Sequence, residues 1–415
     1  MIMDRKEIVL DNGVKLVMIN TDKFKTVTVN LFFEDKLNDF NINCNNLLVK
    51  LLVTETAKHS SRKEFKSYLK NMYDMKINSY NNTLGEVFSF SIVLDALNTK
   101  FTMNNENLLE KQFEVINEIL YNPLISNNAF NEDYFNEIKN EYKQNISNIE
   151  NYKEYIVRKK AINILGKDNN LLASTYGDSE VLNEISNNDV YNKYSNLNSM
   201  CNKVVVCGEI DFEKVEEYAN KYLKLEGNRN NYNYIHKNEL KKYDDASYDS
   251  KFSQSSIAIL YDLDIYVGEK ENYAALVFIE MLNYYLFKII REEHNFCYSI
   301  YISYLSSRGL CYLQSNIEEK NYEMTLKLID EIINDLKNNI DEKVLLICKD
   351  KIITNVKKEV DNPLKIIVND YNRGIYNTAS SDEAIQLYSN VSPDEVKDIA
   401  NKIQKKFSVI LKEGN

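Results

Sequence analysis

Residues 188–211, NDVYNKYSNLNSMCNKVVVCGEID, and residues 393–414, PDEVKDIANKIQKKFSVILKEG, share one design. Each opens a short helix with acidic residues, where carboxylates complement the helix dipole, and follows it with an apolar strand. The two stretches lie about 200 residues apart, and a similar order of elements leads up to each. That order predicts a tandem duplication of an α+β unit.

The elements can be traced outward from these two endings. Glu7–Leu10 and Val14–Ile19 read as strands around Asp11-Asn12-Gly13, a strong hairpin signal. Thr26–Phe33 is a third strand, and a helix follows over Asn41–Lys58 with Leu47, Leu48, Leu51 and Leu52 on its apolar faces. A second helix ends near Met72, and strands follow at Lys76–Tyr80 and Val87–Leu94. Helices are expected over Asn105–Tyr121 and, as one long element, over Asn128–Leu165. The polar stretch EGNRNNYNYIHKNELKKYDDASY, from Glu226 to Tyr248, reads as a linker. Beyond it the order repeats: a strand at Ser255–Tyr261, a helix over Asn272–Glu293 and strands at Tyr298–Tyr304 and Leu310–Gln314. Helices over Glu323–Lys337, Asp341–Val360 and Asn362–Asn377 complete it. The expected domains are therefore 1–225 and 251–415, joined by a linker over 226–250.

Composition narrows the function. The chain has 415 residues, 44% hydrophobic and 27% charged, as expected of a globular protein with more than one core. A net charge of −11 argues against nucleic-acid binding, which wants a basic face. The opening MIMDRKEIVLDNG has no apolar run behind a basic segment, no stretch reaches the length of an apolar membrane span, and a cytoplasmic location is expected. Six cysteines show no CxxC pair, and Cys44, Cys207 and Cys348 sit in apolar surroundings suited to reduced core residues.

No self-contained catalytic motif stands out. The three histidines, His59, His236 and His294, lie too far apart for HExxH or HxxEH, so two imidazoles cannot share one helical turn at a metal. His236 falls in the linker and is expected to be exposed. His59 is expected to end the first long helix and to interact with its dipole. Glu137 and Glu141 lie one turn apart on a helix, a spacing that suits a metal but more simply a solvated face. The segment REEHNFCYSI at 291–300 joins a helix to a strand through a charged cluster.

The opening LDNGVKLVMINTDKFKTVTVNLFF, the segment LNYYLFKIIREEHNFCYSIYISY at 282–304 and the duplicated order resemble the insulinase/pitrilysin (inverzincin) family, in its mitochondrial-processing-peptidase-like branch. The second segment is similar to the family's SxLFxxLREKxGLxYxV. The resemblance implies two homologous domains, each a mostly antiparallel sheet packed with helices, forming half of a clamshell. Catalytic members carry HxxEH on the helix after the third strand, where two histidines bind zinc and the glutamate activates water. Here NNLLVKLLVTET places Asn46 and Lys50 at the histidine positions and Val49 at the base, with Glu137 or Glu141 at the third ligand. Asn is a poor zinc ligand, Lys brings an ammonium, and Val accepts no proton. The chain is therefore expected to bind no metal.

The second half departs less from the family. Arg291 and Tyr298 match in identity and spacing the pair that contacts the substrate carbonyl, where a guanidinium and a phenol stabilise the developing oxyanion. Glu292 matches an acidic neighbour that could hold the arginine in register. Asn295 replaces a glycine, and Asn tolerates the left-handed conformation that ends a helix. The resemblance implies a zinc-less subunit paired with a homologous HxxEH-bearing subunit whose zinc acts on a peptide, and in some such pairs the peptide is ribosomally made. The alternative is a catalytically inert peptide-binding or scaffold protein with the same fold.

Overall fold

The chain is described by a computed structural model covering residues 4–166, 170–227 and 230–414. In chain order it forms β1 (Asp4–Val9), β2 (Lys15–Asn20), β3 (Thr26–Lys36), α1 (Asp39–Thr54), α2 (Arg62–Asn71), β4 (Lys76–Leu84), β5 (Val87–Leu97) and α3 (Leu108–Tyr121). A small hairpin, β6 (Ile125–Ser126) and β7 (Ala129–Phe130), leads to α4 (Glu132–Glu150), α5 (Lys153–Leu165), α6 (Ser179–Glu184), α7 (Asn187–Ser195), β8 (Cys201–Gly208) and α8 (Phe212–Tyr222). Then come β9 (Ala246–Tyr248), β10 (Ser255–Asp262), α9 (Asn272–Tyr285), β11 (Cys297–Leu305), β12 (Leu310–Ile317), α10 (Tyr322–Asn338) and α11 (Glu342–Glu359). The end of the chain holds α12 (Pro363–Tyr376), α13 (Ser381–Asn390), α14 (Pro393–Lys402) and β13 (Gln404–Leu411).

Two sheets carry the architecture. The first has strand order β1-β2-β8-β3-β5-β4, and the second has order β11-β12-β10-β13-β9. Read from its β9 end, the second repeats the first with only the outermost strand missing. The pairing directions repeat as well: β2 runs parallel to β8 and β9 parallel to β13, while every other pair in the two sheets is antiparallel. The α+β duplication is thus present strand by strand.

The compact units are not two consecutive stretches. One comprises the chain up to Ser147, Ser174–Asn233 and Val360–Tyr371; the other comprises Asn148–Ala173, Tyr234–Glu359 and the chain from Asn372. Each half therefore gives a segment to the unit of the other. The expected single helix over 128–165 is two helices, broken after Glu150. The apolar period runs through the break, but α4 buries Tyr134, Phe135 and Ile138 in one unit while α5 buries Val157, Ala161 and Leu165 in the other. The expected linker is also more than a connection: Leu240 is buried, and Ala246–Tyr248 adds β9 to the second sheet. Residues 228 and 229 of that stretch lie outside the described residues.

Local sequence explains the main boundaries. Gly13 holds a left-handed φ of +84° in the β1–β2 turn, which L side chains rarely adopt. Ser186, Ser380 and Ser392 open α7, α13 and α14 with reciprocal capping boxes to Asp189, Glu383 and Glu395. In the second sheet Ile257 and Ile259 of β10 face the core of α9, α10 and α14, while Ala258 and Leu260 face Val157 and Ala161 of α5. The Asn272–Glu293 helix is long and apolar enough to cross a membrane by composition, contrary to the sequence expectation. Half of it is buried, with Phe278, Leu282 and Ile290 inside that core.

In the first unit the segment from Val360 covers a buried carboxylate. Glu34 on β3 is 0% exposed; the Tyr371 hydroxyl donates to it at 2.6 Å and Asn202 Nδ2 at 3.0 Å. The Tyr371 ring stacks on Phe32 with centroids 3.9 Å apart, and the neighbouring Asp370 accepts from Arg5 Nε at 2.6 Å.

Candidate functional site

Corresponding places in the two units hold the residues singled out by sequence. In the first unit the place lies between α1, α2, edge strand β4 and α4. Asn38 caps α1 by accepting from Asn41 N, and most of the helix is buried. Asn46 Nδ2 donates to the Tyr142 hydroxyl and to the Thr175 carbonyl, both at 2.9 Å, while its Oδ1 accepts from Asn81 Nδ2 on β4 at 2.8 Å. The Tyr142 hydroxyl donates onward to the Tyr176 carbonyl at 2.8 Å. Next to it Gly177 has φ +77°, and a Cβ there would lie 2.1 Å from Asn43 Oδ1, so only glycine fits.

Val49 is 3% exposed and belongs to the apolar core, and Lys50 Nζ lies 5.8 Å from the centroid of the Tyr142 ring. Arg62, at the start of α2, engages both glutamates of α4: Glu141 at 2.9 Å and Glu137 at 3.4 Å. The Glu141 bond is the largest cause of an upward shift in the Arg62 pKa. These residues do not fit zinc. A guanidinium occupies the carboxylates, an ammonium and an amide stand where the resemblance expects imidazoles, and no cluster of three His, Cys, Asp or Glu suited to a metal exists among the described residues. What remains is a cleft of about 250 Å³ lined by Lys50, Arg62, Phe65, Lys66, Ile77 and Glu141, among others.

In the second unit α9 passes into a π-helical turn over Leu286–Glu293 that carries Arg291. The wide turn shows in its hydrogen bonds: His294 N donates to Ile289 O and Phe296 N to Ile290 O, both at 3.0 Å. Asn295 takes the left-handed conformation expected of it, with φ +54°, and turns the chain into β11. The Arg291 guanidinium then lies between two rings, 4.5 Å from the centroid of Phe287 and 5.5 Å from that of Tyr298. Tyr298 is 81% exposed.

Among the described residues no carboxylate pairs with Arg291 and no hydrogen bond occupies the Tyr298 hydroxyl. Glu292 does not hold the arginine, because adjacent helical residues face different ways; it lines a cleft of about 630 Å³ with Asn283, Phe287, Ile300, Tyr301 and Ile347, among others. Phe287 and Asn283 are the residues that sequence reasoning missed. Phe287 sits one turn before Arg291, a spacing that could have revealed it. Asn283 Nδ2 donates to Ile302 O at 3.0 Å and its Oδ1 accepts from Ile302 N at 2.8 Å, so a side chain pairs with the free edge of β11.

The histidines have structural partners. His59 does not end α1, which stops at Thr54; its Nδ1 lies 2.7 Å from Glu118 Oε1, and its ring stacks on Tyr68 at 4.2 Å. His236 is half-buried rather than exposed, with its N–H on Ser307 O, and His294 is exposed beside Phe296. All six cysteines are free and buried, and burial pushes the thiols of Cys44, Cys207 and Cys348 up to about 12.

Comparison with known proteins agrees with this geometry. Residues 188–352 match the family described as Peptidase M16 inactive domain. A Bacillus subtilis protein named probable inactive metalloprotease YmfF is 23% identical over 417 residues, covering 96% of each chain. A conserved protein from Enterococcus faecalis shares the fold with a TM-score of 0.92 at 18% identity over 99% of both chains. A peptidase M16 inactive domain from Pseudomonas fluorescens shares it with a TM-score of 0.80 at 14% identity, over 100% of this chain and 99% of that one. The chain thus shares the fold of these solved structures, and its residues 188–352 are similar to the Peptidase M16 inactive domain.

Proposed function

We propose that this chain is the non-catalytic subunit of a heteromeric zinc metallopeptidase of the cytoplasm. It pairs with a homologous subunit that carries HxxEH, and the zinc and general base belong to that partner. Arg291 and Tyr298 of this chain donate to the carbonyl oxygen of a bound peptide, a ribosomally made peptide in need of processing.

One observation carries the reading: the two donors stand side by side with no acid partner among the described residues, while Asn46 is taken up by internal hydrogen bonds and Glu137 and Glu141 by Arg62. The rings of Phe287 and Tyr298 hold the guanidinium without neutralising it. A donor already oriented costs little reorganisation when negative charge develops on the carbonyl oxygen. The test is Arg291→Ala and Tyr298→Phe in the complex reconstituted with the HxxEH subunit. Each is expected to lower turnover about 10²–10³-fold with assembly intact. The isolated chain is expected to hold no stoichiometric zinc and to cleave no peptide. Unchanged turnover in both variants would instead make the chain a binding or scaffold protein.

A further inference from the structure

The cleft at the former metal position has reversed its electrostatic preference. Where catalytic relatives would hold a cation, this chain supplies cations of its own: Lys50, Arg62 and Lys66 line the cleft, with Glu141 as the lining carboxylate. Glu141 is engaged by Arg62, whereas Lys50 and Lys66 pair with no carboxylate among the described residues. Such a site repels metal ions and attracts anions.

We propose that this cleft binds the free C-terminal carboxylate of an extended peptide whose last side chain is apolar. The inference is independent of any role for Arg291 and Tyr298. Three features select this occupant. Val53, Phe65, Leu69, Ile77 and Ile138 make an apolar wall that suits one aliphatic side chain. About 250 Å³ holds the end of a chain and not a larger body. Ile77 belongs to β4, an edge strand paired only with β5, so a peptide laid along that edge can form main-chain bonds and deliver its end to Lys50. A phosphate is the poorer fit, because its greater charge and oxygen count meet that apolar wall and Glu141.

The full chain can be titrated with N-terminally fluorescein-labelled hexapeptides by anisotropy. One probe ends in leucine with a free carboxylate. A second is its C-terminal amide, and a third is an amide with glutamate placed before the leucine. The free acid is expected to bind at least about tenfold more tightly than either amide, as a charge-assisted pair requires. Lys50→Gln should reduce the preference to below about threefold. Lys66→Gln, at an exposed position that tolerates change, should reduce it in part and guards against misfolding of the first variant. Equal binding of acid and amide, equal binding of the glutamate-bearing amide, no binding of any probe up to about 1 mM, or a preference that survives both variants would each overturn the proposal.

Discussion

The duplication sets two clefts at corresponding places, each bounded by the first helix of its half, an edge strand and a later helix. In the first unit Asn46 reaches the edge strand through a side chain, Asn81, rather than through the β4 main chain. In the second unit Asn283 reaches the main chain itself at Ile302 and occupies the edge of β11. The corresponding amides thus meet their edge strands differently, one through a side chain and one through the main chain. The cationic groups differ in the same sense. Arg62 is bound to two glutamates, whereas Arg291 rests between two rings with no acid partner among the described residues. In the first unit the arginine is thus neutralised internally, while in the second it stays available.

Stability measurements can break that contrast. Val49→Glu would supply the acidic residue that the family resemblance expects there, but at a 3% exposed position it buries an uncompensated carboxylate. A loss of about 3 kcal/mol or more is expected in urea unfolding at neutral pH, shrinking in acid as the group protonates. Tyr298→Ala, at an 81% exposed position, should change stability by less than about 0.5 kcal/mol. If the two variants unfold alike, the asymmetry between the clefts is wrong.

Asn283→Ala is expected to cost about 1–3 kcal/mol, because the Ile302 N–H and C=O lose a bonded partner. Hydrogen exchange at the Ile302 amide should accelerate in the variant. Unaltered exchange would show that the β11 edge is not sealed by this amide.

The smallest effect concerns a cap repeated in both halves. Ser392→Ala removes one side of the α14 capping box and should cost about 1 kcal/mol at neutral pH. The Glu395 pKa is lowered, first by the backbone N–H of Ser392, which the variant keeps, and then by the Ser392 hydroxyl, which it removes. A depressed carboxylate stabilises the fold above its unfolded pKa of about 4.3, and that stability is lost as pH falls through the folded value. The gap between wild type and Ser392→Ala should therefore narrow in acid. A gap independent of pH would exclude a bond from the Ser392 hydroxyl to the charged carboxylate.

Much of the fold was legible because its signals are local. The hairpin at Gly13, the strand periods of β3 and β5 and the acidic starts of α7 and α14 each follow from neighbours in sequence. The break between α4 and α5 was not legible, since the apolar period continues across it while the buried faces serve different units. For the site, the spacing that brings Arg291 beside Tyr298 could be read. The surroundings could not: Phe287, Asn283 and Arg62 act through contacts that depend on a π-helical turn and on tertiary packing. The expectation for Glu292 failed because proximity in sequence is not proximity on a helix.

The segment exchange also has a consequence for synthesis. Glu34 has its Tyr371 partner only after the last part of the first unit, Val360–Tyr371, has been made. The nascent first unit must wait without the Tyr371 contacts to Glu34 and Phe32 while most of the second is translated, an interval on the order of ten seconds at ribosomal rates. A chain stopped at the 226–250 stretch would leave that carboxylate without its phenol and the Phe32 ring without its stacking partner. Completion of the first unit is thereby timed by the length of the second, and a truncated product is marked by an unfinished surface on its earliest-made sheet.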